Sequence, residues 1–157
     1  MEFLLRSKDM TNHADKAKEL FEQGYNCSQA VLCAFEDVTG LDGETAAKIA
    51  SSFGGGMGRM REVCGAVSGA LMVLGIAKGY SDPEATYEKS AHYKLIQEFA
   101  RRFKEENGSI ICRELLAGVP VKEGNAPEER TETYYKKRPC SELVWFSAKT
   151  LDDMLSE

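Results

Sequence analysis

Five cysteines are the residues whose chemistry most needs a reason: Cys27, Cys33, Cys64, Cys112 and Cys140. A thiolate is both the nucleophile of disulfide exchange and a soft metal ligand. The spacing removes several uses. There is no CxxC, no CxxCH and no Cys/His pair at zinc-finger distance, so a thioredoxin-type motif, a c-type haem attachment and a zinc ribbon are excluded. These cysteines can meet only through folding, and the plain alternative is that each is a small core hydrophobe.

Cys64 follows a glycine cluster, Gly54-Gly55-Gly56-Met57-Gly58-Arg59-Met60-Arg61. The cluster lacks the closing Gly-Lys-Ser/Thr of a phosphate loop, and no strand precedes it as in a dinucleotide fold. Glycines so dense permit positive φ and close backbone approach. Gly54, Gly55, Gly56 and Gly58 are therefore expected to wrap a ligand or redox centre with their amides, or to form a tight turn. Gly65 and Gly69, one helical turn apart, are expected to open a groove for a neighbouring helix or cofactor. From Cys64 to Ala77 there is no charge. That run is too short to cross a bilayer and reads as a buried helix.

The rest of the chain must position these residues. Its 157 residues, 43% apolar and 29% charged, are those of one globular domain. A net charge of −5 argues against nucleic acid as a partner. The first residues lack the pattern of a signal peptide, and no run is long enough for a membrane span. The chain is expected in the cytoplasm, where structural disulfides are unusual.

Helical periodicity runs through nearly every segment, and none alternates like a strand. The expected fold class is all-α: a single-domain helical bundle of about six to eight helices over residues 11–157, after a tail over residues 1–10 that is a candidate for disorder. Thr11 is expected to cap the first helix, to about Gln23. Asn26 caps a second, with Cys27 on its core stripe beside Val31, Ala34 and Val38, and Cys33 to the side. A short helix follows over about 44–51. The charge-free helix is placed from Arg61 to Ala77. A long one begins at Asp82-Pro83-Glu84, with Tyr87, Ala91, Leu95, Phe99 and Phe103 on one stripe, and stops at Gly108. Ser109 is expected to cap a helix over 110–117, and Pro127 to open another toward Tyr135. The last helix starts at Pro139-Cys140 and faces Leu143, Val144, Ser147, Leu151 and Met154 inward. Trp145 and Phe146 could cover a partner subunit, which makes a homodimer the expected assembly. His92 borders an apolar stripe and reads as a packed residue before a metal ligand or acid–base group.

With helices so placed, Cys27, Cys64, Cys112 and Cys140 each fall in or beside a first turn. Helix-end amides stabilise a thiolate there. Arg61 near Cys64, Arg113 beside Cys112 and Arg138 near Cys140 are expected to act in the same direction.

Asn26-Cys27-Ser28-Gln29-Ala30, the Gly54–Gly58 turn leading to Cys64-Gly65-Ala66-Val67-Ser68-Gly69, Cys112-Arg113-Glu114-Leu115 and Cys140-Ser141-Glu142-Leu143-Val144 occur in that order. The chain resembles the C_GCAxxG_C_C family of redox-active proteins, which carry a CGAxxG motif and four characteristic cysteines. The resemblance spans about Ala14 to Val144 and implies that Cys27, Cys64, Cys112 and Cys140 are the family cysteines, with Cys33 an extra. It implies a redox or electron-transport role without naming substrate or redox partner. Such a domain also resembles part of the split-Soret cytochromes, but haem is not carried over without an attachment motif.

Three functions remain open on the sequence. One is a thiol-dependent redox protein, enzyme or electron carrier, with no cofactor beyond its disulfides; Cys27 with Cys64 and Cys112 with Cys140 is one of three pairings. Another is a metal protein in which the same four thiolates hold zinc or an iron–sulfur cluster. The last is a helical binding or dimerisation module without chemistry.

Overall fold

The helix that follows Asn26 and the helix that follows Cys64 form the centre of the molecule. The computed structural model describes residues 12–157, and the remarks below concern those; the expected tail and the Thr11 cap lie outside them. Among the described residues there are nine α-helices: α1 His13–Glu22, α2 Cys27–Ala34, α3 Glu36–Thr39, α4 Gly43–Ala50, α5 Gly65–Lys78, α6 Thr86–Asn107, α7 Cys112–Leu115, α8 Glu132–Lys137 and α9 Cys140–Leu155. The all-α expectation holds. Two of the nine, α3 and α7, are four-residue turns, which leaves the longer helices within the expected number.

α2 packs on α5, α1 and α4; α9 lies along α1 and also touches α2, α5 and α6. α2 can sit at the centre because six of its eight residues are buried, Ser28, Ala30 and Ala34 among them. Small side chains let three helices approach it. A full capping box starts it: Gln29 N donates to Asn26 Oδ1 at 2.8 Å and Asn26 N to Gln29 Oε1 at 3.1 Å. In α9, Leu143, Val144, Ser147, Leu151 and Met154 are buried as expected. Phe146 stacks edge-on with Phe103 and Trp145 Nε1 donates to Asp15, so both are engaged within the chain. Among the described residues no helix is long and apolar enough to cross a membrane.

Several boundaries differ from the sequence expectation, each for a local reason. Asn12 caps α1, its Oδ1 accepting from Asp15 N. α2 stops before Phe35, so Val38 leaves the core stripe and is 37% exposed. α5 starts at Gly65 instead of Arg61, because Arg61 turns left-handed and Glu62 and Val63 are drawn into a pairing described below. Asp82 accepts from Glu84 N in a turn of its own, which delays α6 to Thr86. Only Phe99 and Phe103 of its stripe are buried, while Tyr87 stands 81% exposed. Ser109 caps a turn by accepting from Ile111 N, and the helix proper waits until Cys112. Thr131, not Pro127, precedes α8.

His13, which no sequence pattern singles out, joins three elements. Its ring stacks on Phe35 at 4.1 Å, Nδ1 lies 2.7 Å from Asp152 Oδ1 and Nε2 2.9 Å from Asp37 Oδ1. Burial opposes the imidazolium, but the hydrogen bonds and charges of Asp152 and Asp37 outweigh it, and the pKa rises above its ordinary 6.5. A raised pKa stabilises the fold fully below the unfolded value, and that contribution fades as pH climbs through the folded one. Urea midpoints measured upward from pH 6.5 are therefore expected to fall in the native chain and to lose that slope in His13→Gln.

Candidate functional site

The glycine cluster builds one wall of the site. Gly55, Gly56, Met57, Gly58, Arg59 and Arg61 all have φ between 56° and 74°. Three of these are not glycine, at a cost of roughly 1 kcal/mol or more each. The coil is closed by Arg61 N donating to Gly55 O at 3.1 Å and Glu62 N to Gly56 O at 3.0 Å. It then runs antiparallel to the start of α7: Val63 pairs with Ile111, Cys64 N donates to Ile110 O at 2.8 Å, and Cys112 N donates to Glu62 O at 2.6 Å. Cys64 and Cys112, far apart in sequence, are thereby set side by side.

α2 brings the third cysteine and α9 the fourth. Cys27, Cys112 and Cys140 are the first residues of their helices, and Cys64 is the residue before Gly65 opens α5. All four line one cavity of about 70 Å³. Each of the six pairs among them is close enough for a charge on one sulfur to oppose a charge on the other. Cys33 is elsewhere, its thiol directed at Gly43 O at 3.8 Å.

The small residues are what make this meeting fit. A methyl group on Gly65 would fall on Cys27 Sγ, and one on Gly56 would lie 2.8 Å from Cys112 Cβ. Of the glycines expected to hold a ligand, Gly55 and Gly65 line the cysteine cavity, and Gly54, Gly55 and Gly58 line an outer basin beside it. Gly69 is away from both, pressed against Ser28 O of α2. His92 lines neither; its ring meets Tyr80 edge-on.

The expected thiolate character does not survive burial. Desolvation raises the thiols of Cys27 and Cys64, the latter well above its ordinary range, and pushes Cys140 up to about 12. Backbone amides do act as expected, Gly55 of the glycine coil and Ser28 of the α2 start on Cys27 and Ala66 of the α5 start on Cys64, but they are the weaker effect. At neutral pH these three sulfurs rest as thiols. The arginines are also placed differently from their sequence positions. Arg61 Nη1 donates to Cys112 Sγ at 3.8 Å instead of serving Cys64. Arg113 turns away to Arg61 O, Met60 O and Glu62. Arg138 is buried, paired with Glu128 and stacked 4.8 Å from the Tyr134 ring. Arg138 and Arg130 do lower Cys140, against the larger effect of burial.

The family model described as "Putative redox-active protein (C_GCAxxG_C_C)" matches residues 25–154. The chain belongs to the C_GCAxxG_C_C family. The matched span includes every residue of the cysteine cavity except Phe21. No curated protein and no solved structure matches the chain. For this C_GCAxxG_C_C protein the sequence missed the rim of the site: Arg59, Arg130 and Tyr134 also stand at the cavity or its basin. The Arg59-x-Arg61 pair beside the glycines was the available signal. Arg130 carried none, because its place depends on stacking 4.1 Å over Phe21 and bonding Phe21 O and Tyr25 O.

Proposed function

We propose that this protein is a thiol redox carrier whose four cavity cysteines pair reversibly by exchange with a partner disulfide. The observation that carries the reading is the convergence of Cys27, Cys64, Cys112 and Cys140 on one small cavity, with Cys33 left out. In the reaction, a cavity sulfur gives up its proton and attacks one sulfur of the partner disulfide. The partner's other half leaves as a thiol. A second cavity cysteine then displaces the first half, also as a thiol. Two cysteine thiols are oxidised to one disulfide and one partner disulfide is reduced to two thiols. Burial favours this outcome over stored thiolates, because a disulfide carries no charge into a low-dielectric site.

Thiol counting tests it. The reduced protein has five free cysteines; after exposure to a small disulfide and its removal, only Cys33 is expected to react with a thiol reagent. A folded protein that keeps all its thiols after that exposure would overturn the reading.

A second reading is favoured by the amides directed at Cys27 and Cys64, since such donors stabilise bound thiolate. Four sulfurs around one cavity are a donor set that iron–sulfur clusters use, and a cluster would supply one-electron transfer. A single ion fits less well: among the described residues no three Cys, His, Asp or Glu side chains are arranged to hold one. Metal analysis and an absorption spectrum of anaerobically purified protein separate the two readings.

A further inference from the structure

The cysteine cavity shares a wall with a larger basin of about 420 Å³, a volume typical of small-molecule sites. Arg61, Arg130, Tyr134 and Arg138 are among the residues that line both spaces, and Arg59 and Glu128 line the basin alone. Four guanidinium groups thus face one carboxylate, in a chain whose net charge is −5. That carboxylate is already committed: Glu128 pairs with Arg138, lies 3.6 Å from Arg59 and accepts from Lys122 N at 2.6 Å. Among the described residues Arg61 and Arg130 have no ion pair.

One nitrogen of Arg59 lacks a hydrogen-bond partner. Arg59 donates through Nη2 to Lys122 O at 2.6 Å, but its Nη1 is buried without any hydrogen bond. Burying a cationic donor unsatisfied is costly. The left-handed backbone at Arg59 and Arg61 is strain of the kind retained at ligand clamps. The basin therefore combines excess positive charge, an orphaned guanidinium N–H, a volume for a ligand and a shared wall with the cavity cysteines.

We infer that this basin binds the carboxylate end of a small anionic disulfide and presents its S–S bond to the cysteine cavity. The inference deepens the thiol reading above by naming the substrate class, and it rests on that reading for its chemistry. A planar guanidinium holds a carboxylate by two parallel hydrogen bonds. Arg61 reaches both spaces, so a carboxylate at Arg59 and Arg61 leaves the ligand's sulfurs directed toward Cys112, which Arg61 itself touches. Electron flow is as written above: the anionic disulfide is reduced to two thiols while two cavity cysteines form a disulfide.

Two disulfides of equal length and opposite charge test it: dithiodipropionate, a dianion, and cystamine, a dication. Suberate, which has two methylenes in place of the sulfurs, measures binding without reaction. On the native protein in low salt, dithiodipropionate is expected to oxidise the cavity thiols about tenfold faster than cystamine. Near ~1 M salt the difference should close, as screening shortens to about 3 Å. Suberate should bind saturably, about tenfold more weakly to Arg61→Gln and with partial recovery in Arg61→Lys. Equal rates for the two disulfides with no suberate binding would overturn the anion site and leave the thiol reading intact. Suberate binding with no oxidation by either disulfide would overturn both the substrate and the thiol reading, and leave only an anion site. The salt series on native protein decides the matter even if an arginine variant fails to fold.

Discussion

Gly65→Ala is expected to destabilise the protein by about 1–3 kcal/mol, the usual cost of forcing an extra carbon into a packed interior. The added methyl would fall on Cys27 Sγ, 2.8 Å from Phe53 O and 3.2 Å from Ser28 N. Two of those three atoms are backbone, so only the cysteine can yield, and yielding takes it out of the cavity. Helix propensity pulls the other way, since alanine is favoured over glycine by about 1 kcal/mol inside a helix. Sterics decide the sign because the backbone cannot move aside. Gly75→Ala, in the same α5 helix, provides the control. Nothing lies within 4 Å of its added carbon, so propensity acts alone and the variant should match or exceed the native chain. Each kcal/mol corresponds to about 2–4 °C in Tm for a chain of this size. Melting curves for the pair, with cavity thiol counts for Gly65→Ala, check the claim. Equal melting temperatures for the two variants would show that α2 and α5 are not in the contact described.

Glu128→Ala is expected to cost about 3 kcal/mol, the lower end for removing one partner of a buried ion pair. The Arg138 side chain is only 5% exposed and Glu128 14%. Removing the carboxylate leaves the Arg138 charge buried, and it also releases Arg59 and the Lys122 amide. The Tyr134 ring 4.8 Å from Arg138 softens the loss, which is why the lower end is expected. Because residues 122–138 close the basin side of the cysteine cavity, the variant should also alkylate faster at the cavity cysteines under native conditions. Glu128→Gln keeps an acceptor and should fall between native and alanine. Urea midpoints and alkylation rates measure both effects. A Glu128→Ala midpoint equal to native would mean that Arg138 is solvated, contrary to its burial.

Much of the architecture was legible in local signals. The Asn26–Gln29 capping box, the Gly108 stop and the inward face of α9 follow from residue type and spacing alone, because each depends on neighbours within one or two turns. The choice of helix start for Cys27, Cys64, Cys112 and Cys140 was legible for the same reason. Boundaries failed where distant chain competed. Arg61 to Val63 carry helical residues, yet Arg61 turns left-handed, while Glu62 O accepts from Cys112 N and Val63 pairs with Ile111. The α6 stripe runs from Tyr87 to Phe103 by spacing, but only Phe99 and Phe103 on it are fully buried, with Leu95 half-buried against the core and Tyr87 exposed, because neighbouring helices cover only that part of α6.

For the site, sequence alone set Cys27, Cys64, Cys112 and Cys140 apart by the local backbone each occupies, because a helix N-terminus and a glycine turn are written in adjacent residues. It could not decide their protonation. Amides at a helix start favour thiolate, and that effect is local; desolvation opposes it, and desolvation depends on everything that packs around the sulfur. Only the tertiary structure shows that burial wins at Cys27, Cys64 and Cys140. It alone brings Arg59, Arg61, Arg130 and Arg138 from separate segments to one wall, because a shared cavity is a property of the packed chain and of no stretch within it.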